Sequence, residues 1–549
     1  ILIDGSEQQA DLLREQAMKT GEMIKLNENV FFVLGRVNGA IYDLNANDVF
    51  AINQKGCRIL DKALNRRVLS VREQKFMSEL IENNLFDENK INFSVKIPFN
   101  NSSSFDTVWL EITQACNMRC IHCYEGCNHK QSVNDRLTLS MWKNVIEQIK
   151  CIGVKNVVVI GGEPTLDTYL LDILSYLHIN QISTTLFTNL SFDNVELLDK
   201  IKDFKIEVKF SLYGHSAKVH DFITQQKGSF DKLKKNIAWL VANNVNIIAS
   251  VILMKENEKF RRKIEEFLKS MRVSKYSFDV IRDVCGGNQA IHAPILQETI
   301  SMGRLETPNF SVSFARFYEF YKKNTCWNKK IVVTENGNLL PCVFARDEII
   351  GNVKNISFAN LLKSEKLMYY WNFSYDNVAE CSECEYRYVC KDCRPLAMAA
   401  GGISVKNPRC GYKPLTGEWT MKILEYEFTK ICDYSDCFKK SGKRNDFSIL
   451  RDNLTVKGKS GVYFFLSEDG KVIYVGEAHE RKLFDRITQH FRDTDTGGLR
   501  YKHASRTKEL EILEKSSIYV LGVDNLEEIK KIEEKLIDKL KPKLNKRLY

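Results

Sequence analysis

Sixteen cysteines stand in this chain of 549 residues, and ten of them fall into close-spaced groups. Cys116, Cys120 and Cys123 form C-x3-C-x2-C. Cys381, Cys384, Cys390 and Cys393 form C-x2-C-x5-C-x2-C, with Cys326 and Cys342 before them and Cys410 after. Residues 1–22 are polar and mixed in charge, unlike a signal peptide, so a reduced cytosolic compartment is expected. There, grouped thiols point to metal and not to disulfides. Three thiolates at the first spacing suit three irons of a cubane cluster, leaving the fourth iron to a small molecule. They also suit a zinc knuckle, and spacing alone leaves both open.

The rest of the composition sets outer bounds. The length is that of about three or four domains. No apolar run approaches the ~18 residues that span a bilayer, so no membrane partner is expected. The net charge of +10, from 80 Lys and Arg against 70 Asp and Glu, is mild for this length and by itself says little about nucleic acid.

Hydrophobic periodicity predicts a mixed α/β, multidomain chain. After the lead-in, apolar runs at 30–34 and 40–44 flank Asn38-Gly39, a hairpin signal. Helical patterns follow at 49–64 and 71–84, the second with Ser70 and Glu73 as a capping box. Residues 23–100 therefore read as a small winged-helix-like domain. Over 105–284, strand-like runs at 108–113, 157–160, 184–188, 206–212, 247–254 and 276–281 alternate with amphipathic helices. That predicts a parallel sheet curled into a partial (β/α)6, TIM-like barrel. Residues 285–415 are cysteine-dense, 416–450 read as a helical connector, and 451–549 as a compact α/β unit. Cys57, Cys127, Cys151, Cys432 and Cys437 are scattered and read as ordinary thiols.

The segment Cys116-Asn117-Met118-Arg119-Cys120-Ile121-His122-Cys123-Tyr124, followed by Gly161-Gly162-Glu163-Pro164 at the second strand's end, resembles the radical SAM superfamily. The resemblance implies a [4Fe-4S] cluster on Cys116, Cys120 and Cys123 with S-adenosyl-L-methionine (SAM) on its open iron. His122 would lie near the adenine. Gly161, Gly162, Glu163 and Pro164 would receive the methionyl amino group, glycines allowing close approach and a carboxylate pairing with an ammonium. Thr188, Asn189 and Ser211 would face the ribose and carboxylate, and Arg282 would pair with the carboxylate. The implied chemistry is reductive cleavage to a 5′-deoxyadenosyl radical that abstracts hydrogen, with a flavodoxin or ferredoxin as electron donor.

The later cysteines, with Gly337-x4-Cys342, resemble the SPASM extension of that superfamily, except that two residues and not the usual three precede Cys393. By analogy Cys381, Cys384, Cys390 and Cys410 hold one auxiliary [4Fe-4S] cluster, and Cys326, Cys342 and Cys393 a second. Cys285, a non-cysteine ligand or substrate would complete the second; zinc is the competing reading. The N-terminal module resembles PqqD-like leader-binding domains, which implies a precursor peptide or protein substrate gripped at a sheet edge.

Gly461-Val462-Tyr463 and Tyr474-Val475-Gly476, with Arg486, His490, Glu533 and Asn545 downstream, resemble the GIY-YIG nucleases. The resemblance implies Tyr463 as base, assisted by Tyr474 and His490, Arg486 on phosphate charge, and Asn545 organising the site. It also implies Glu533 (or Glu534 if the register slips) on one Mg2+ or Mn2+, with DNA or RNA as partner. Together these resemblances imply a peptide-modifying radical SAM/SPASM enzyme with a coupled endonuclease-like domain. The alternative is an enzyme whose two halves act on the same nucleic acid.

Overall fold

The computed structural model describes residues 23–92, 104–125, 135–284, 289–302, 310–323, 326–390, 392–437, 447–492, 495–503 and 506–545. They divide into two compact units: residues up to 294 with 305–410, and 295–304 with 411–549. No helix among the described residues is long and apolar enough to cross a membrane.

The first unit opens with four antiparallel strands in chain order: β1 (Ile24–Asn27), β2 (Val30–Leu34), β3 (Gly39–Asp43) and β4 (Asp48–Ile52). The predicted hairpin is β2–β3, paired from Val30↔Asp43 to Leu34↔Gly39. The helix predicted over 49–64 is a correction: its first residues form β4, and the helix Gln54–Leu64 begins only after Asn53, whose side chain accepts from Gly56 N–H. The continuous apolar run Val49-Phe50-Ala51-Ile52 fits a strand as well as a helix, and pairing to β3 decides between them. The module is thus a four-stranded meander followed by the helices Gln54–Leu64 and Val71–Glu82, where a single hairpin was expected. The predicted cap forms, with Ser70 N–H donating to Glu73 at 2.8 Å. A hydrogen bond from Lys62 holds the Glu73 carboxyl down at about 2.

Six parallel strands follow at the predicted places: β5 (Thr107–Glu111), β6 (Asn156–Ile160), β7 (Ser183–Thr188), β8 (Glu207–Leu212), β9 (Ile247–Leu253) and β10 (Tyr276–Val280). They are hydrogen-bonded in chain order, each parallel to the next. Along β9, Ile247, Ala249, Val251 and Leu253 are buried while the residues between them are partly open. The intervening helices bury faces such as Trp142, Val145, Ile146 and Ile149 in the same core. The cysteine-rich extension is built onto this sheet: β11 (Lys330–Val333) runs parallel to β5, and β12 (Asn338–Leu340) and β13 (Gly351–Asn352) continue it antiparallel.

In the second unit a six-stranded sheet has the order β14-β15-β16-β19-β17-β18. These are β14 (Tyr412–Lys413), β15 (Glu418–Ile423), β16 (Tyr426–Asp433), β17 (Gly461–Leu466), β18 (Val472–Ala478) and β19 (Ser517–Gly522). The helical connector expected over 416–450 is therefore overturned. Its first half is a β-hairpin, turned at Leu424 with φ 53°, that extends the C-terminal sheet. Thr420, Met421, Ile423, Phe428 and Cys432 are buried, and β-branched and aromatic side chains suit that pleated surface. Within 416–450, the described helices are the short Tyr434–Cys437 and Ser448–Asp452.

Candidate functional site

The first cysteine group lies in the loop leaving β5. Burial pushes the Cys120 thiol far up, and its neighbours Cys116 and Cys123 add to the shift. The loop is clamped from two sides. Arg119 and Ile121 N–H donate to Thr224 and Ile223 carbonyls, both at 3.0 Å. Gly162 and Glu163 N–H donate to Thr113 and Ala115 carbonyls, both at 2.8 Å. The glycines serve that second clamp: a Cβ on Gly161 would stand 2.4 Å from Thr113 O, and one on Gly162 would stand 2.5 Å from Ala115 O. Close approach was expected from a ligand; here the close neighbour is the cysteine loop's own backbone.

Glu163 is buried, and its carboxylate accepts from Thr188 Oγ1 at 2.7 Å and Asn189 N–H at 2.7 Å. Burial raises its pKa against those hydrogen bonds. Pro164 opens a 3-10 turn, Pro164–Leu166, capped by Glu163. Asn189 reaches on to Asn117 Oδ1 at 2.7 Å, and Asn117 donates to Ser191 O at 2.8 Å. Gly161, Gly162, Glu163, Thr188, Asn189 and the cysteine loop are thus one connected assembly. Asn117, inside the first motif, was not singled out by sequence; its place between two ligand candidates was the signal available. The His122 ring meets Tyr213 edge-on at 4.6 Å. Burial, with help from His292, pushes its pKa down to about 4, which leaves a neutral ring. Its Nδ1 is buried without a hydrogen-bond partner. Ser211, on β8, hydrogen-bonds the Tyr213 phenol.

Arg282 is ion-paired with Asp279 and lies over the Phe344 ring at 5.7 Å, and its charge lowers Cys342 and Cys393 against burial. Cys342 and Cys393 help raise the Cys326 thiol, and Cys393 helps raise Cys342, to about 11. Cys410 helps raise Cys381, to about 12; Cys381 and Cys390 help raise Cys384, and Cys410 and Cys381 help raise Cys390. Burial is the largest cause throughout. Between the sets lies a fully buried ion pair, Asp392–Arg394, with Asn407 also donating to Asp392 and Arg394 donating to the Ile403 and Val405 carbonyls. Cys285 lies outside the described residues. Among the described residues no three His, Cys, Asp or Glu side chains converge on a single ion position.

In the second unit, Tyr463 is fully buried and its hydroxyl meets His490 Nε2 at 2.6 Å. Leu499 N–H donates to His490 Nδ1 at 3.2 Å, so the ring proton sits on Nε2 and is donated to Tyr463. Tyr463 in turn is a donor to Tyr474, which is only partly buried. Burial drives His490 down to about 3, aided by Arg486, and drives both tyrosines up, opposed by Arg486. Arg486 is held by Gln489 at 2.6 Å. His490 caps the helix Leu483–Gln489. Glu533 is half-buried and its charge acts on both tyrosines, whereas Glu534 is exposed. Asn545 grips the strand beside Tyr474: its Nδ2 donates to Val475 O at 2.6 Å and its Oδ1 accepts from Val475 N–H at 2.7 Å. Gly476 is required by Tyr463, whose ring would stand 2.6 Å from an added Cβ.

Comparison with known families agrees with these three groups. Residues 110–269 match the radical SAM superfamily, 326–394 the iron–sulfur cluster-binding SPASM domain, and 459–546 the UvrC-like GIY-YIG domain. The AdoMet-dependent heme synthase of Methanosarcina barkeri is 21% identical over 335 residues, 55% of this chain and 95% of that protein. The antilisterial bacteriocin subtilosin biosynthesis protein AlbA of Bacillus subtilis is 22% identical over 308 residues, 54% of this chain and 66% of that protein. Among solved structures, Streptococcus suis SuiB bound to precursor peptide SuiA aligns with TM-score 0.47 and 15% identity, over 70% of this chain and 99% of that one.

Proposed function

We propose, from the premise that the chain carries a radical SAM domain, a SPASM domain and a C-terminal GIY-YIG domain, that it modifies a ribosomally made peptide or protein by radical chemistry and cleaves phosphodiesters with its tail. The residues fit the implied groups. Three thiols stand on a loop clamped by backbone hydrogen bonds, with Cys116 and Cys123 acting on Cys120, and seven more, partly buried, fall into two sets. When bound, SAM and its cluster supply a radical able to take hydrogen from an unactivated carbon. Cys116, Cys120 and Cys123 would hold that cluster. The Gly161–Gly162 strap and the Glu163–Thr188–Asn189–Asn117 chain fix the loop that presents them. Neutral His122 offers an apolar face and one unpaired ring nitrogen to the adenine side.

The observation that carries the peptide reading is the N-terminal sheet. Its β1 edge is closed by a bridge from Lys25 to Asn92, while β4 has no strand on its outer side among the described residues. That free edge suits strand addition by an extended leader. The module is also fastened to the auxiliary-cysteine loop: Arg36 N–H donates to Glu383 O at 2.8 Å, Tyr42 hydroxyl to Glu385 O at 2.7 Å, and Arg387 to Leu34 O at 3.1 Å. A leader held there would be anchored beside the auxiliary thiols. AlbA, named for subtilosin biosynthesis, supports the same substrate class. The test is release of 5′-deoxyadenosine by anaerobic, reconstituted protein offered peptides or nucleic acids. Turnover only with nucleic acid would overturn the reading.

In the tail, the geometry favours Tyr474 over the buried Tyr463 as the group that takes a proton from water. Tyr463, fed by His490, donates toward the Tyr474 oxygen, and the Arg486 charge favours its phenolate. Glu533 would hold the divalent cation, which supplies charge to the phosphate when bound. Metal-dependent cleavage of DNA and RNA substrates, compared between the intact protein and Glu533→Ala, tests this.

A further inference from the structure

Arg486, the phosphate-facing cation of the tail, is held by a neutral amide and not by a carboxylate. It stands three residues before Gln489 on the helix Leu483–Gln489, and its Nη1 donates to Gln489 Oε1 at 2.6 Å. Its Nε donates to the Glu477 carbonyl at 3.5 Å. Gln489 is buried, and its Nε2 donates to Asp495 Oδ1 at 2.6 Å, an oxygen that also accepts from Gly497 N–H at 3.0 Å. The amide can face only one way. A guanidinium only donates and a carboxylate only accepts, so the carbonyl turns to Arg486 and the NH2 to Asp495. Two glycines make room for it: a Cβ on Gly497 would collide with Gln489 Nε2, and one on Gly498 with Gln489 O. The same loop reaches the neighbouring group, since Leu499 N–H donates to His490 Nδ1 at 3.2 Å.

A carboxylate at position 489 would hold the arginine as firmly, but it would neutralise it. A guanidinium paired inside the protein has less charge to offer a phosphate in the transition state. The amide fixes the fork and leaves its charge uncancelled, and the anion is set one residue further back, where it orients the amide. We propose that Gln489, oriented by Asp495, is a positioning residue that holds Arg486 for the phosphodiester without neutralising it. The proposal rests on the reading that the tail cleaves phosphodiesters, and it adds two residues that lie outside those the motif names.

The experiment measures Mn2+-dependent cleavage of supercoiled plasmid DNA and of an end-labelled RNA oligonucleotide by the full-length protein. Rates are taken on whichever probe the wild type cleaves, at a temperature where every variant is folded, and melting midpoints are recorded on the same preparations. Gln489→Glu keeps the acceptor for Arg486 and adds the charge, and cleavage is expected to slow about a hundredfold. Gln489→Glu combined with Asp495→Asn restores the net charge and keeps a donor for residue 489. It is expected to melt nearer to wild type than Gln489→Glu alone and to remain as slow, because the carboxylate still sits on Arg486. Gln489→Met, which loses both hydrogen bonds but adds no charge, is expected to be faster than either. A merely structural role gives the reverse order, with Gln489→Met slowest and the combined variant near the wild-type rate, and that result overturns the proposal. So does a wild-type rate in Gln489→Glu. Wild-type protein that cleaves neither probe overturns the cleavage reading itself and the proposal with it, an outcome distinct from cleavage that the substitutions leave unchanged.

Discussion

Gly162→Ala separates two reasons for a glycine. If the residue exists so that a ligand can approach the backbone, an added methyl weakens ligand binding and leaves the apo fold intact. The structure says otherwise. A Cβ there would stand 2.5 Å from Ala115 O and 2.6 Å from Gln114 O, both backbone atoms of the cysteine loop. Reaching an ordinary contact of about 3.4 Å requires the loop or the strap to move by about 0.9 Å. That shift acts on the two hydrogen bonds that clamp the loop, Gly162 N–H to Thr113 O and Glu163 N–H to Ala115 O, each 2.8 Å. Each is worth about 0.5–1.5 kcal/mol net, so their combined weakening costs about 1–3 kcal/mol. A 1 Å misplacement near reacting groups costs on the order of a hundredfold in rate. The expected result is a lower melting midpoint for the protein before any cofactor is added, reduced iron at the Cys116–Cys120–Cys123 site, and roughly hundredfold slower SAM cleavage. Gly351→Ala is the control, because its nearest neighbour is the Ile356 methyl at 3.3 Å and a side chain can yield. If Gly162→Ala melts and loads iron like wild type and fails only in SAM affinity, the loop argument is wrong and the ligand argument stands.

The other predictions concern mainly the second unit. His490 is buried neutral with its pKa depressed to about 3. An unfolded chain binds that proton from about pH 6.5 downward, so the stability present above pH 6.5 is lost as pH falls toward 3, by about 2 kcal/mol at pH 5. His490→Gln is expected to flatten the melting midpoint over that window relative to wild type, and equal slopes would refute the buried neutral ring. Asn545→Ala removes both hydrogen bonds to Val475 and is expected to cost about 1–3 kcal/mol in denaturant unfolding of the tail, with cleavage reduced as Tyr474 loses its fixed strand. Glu533→Ala is expected to abolish metal-dependent cleavage while Glu534→Ala retains it; loss in both would show that the register reading is wrong.

What was legible in the sequence was whatever recurs at a fixed period or a fixed spacing. Six strands of the parallel sheet lie where strand-like apolar runs predicted them, because a strand buried in a sheet must carry apolar side chains over its short length. The seven later cysteines stand out in sequence because metal ligation, where it occurs, fixes spacing independently of the path between ligands. The hairpin 418–433 was missed for the complementary reason. Its apolar positions pack against strands nearly a hundred residues away, β16 on β19, and the stretch by itself satisfies a helical period about as well. Charged pairs across the chain, such as Glu111 with Arg346 or Asp279 with Arg409, carry no local signal at all.

The same distinction explains why roles were harder to read than residues. Glu163 is the residue a ligand-binding motif would place in the site, yet its carboxylate is occupied by Thr188 and the Asn189 amide, and Asn189 then reaches Asn117 in the cysteine loop. A carboxylate so engaged acts first as a beam between the ends of two strands and the loop that carries the thiols. Tyr463 and Tyr474 differ in burial although the motif names both. Tyr463 is fully buried beneath Gly476 and hydrogen-bonded to His490, and Tyr474 is only partly buried, with the Arg486 charge acting on it. A motif records which side chains must be near one another. The direction in which a proton or a charge runs through them is set by the donors behind them, here Leu499 N–H behind His490 and Val475 held by Asn545.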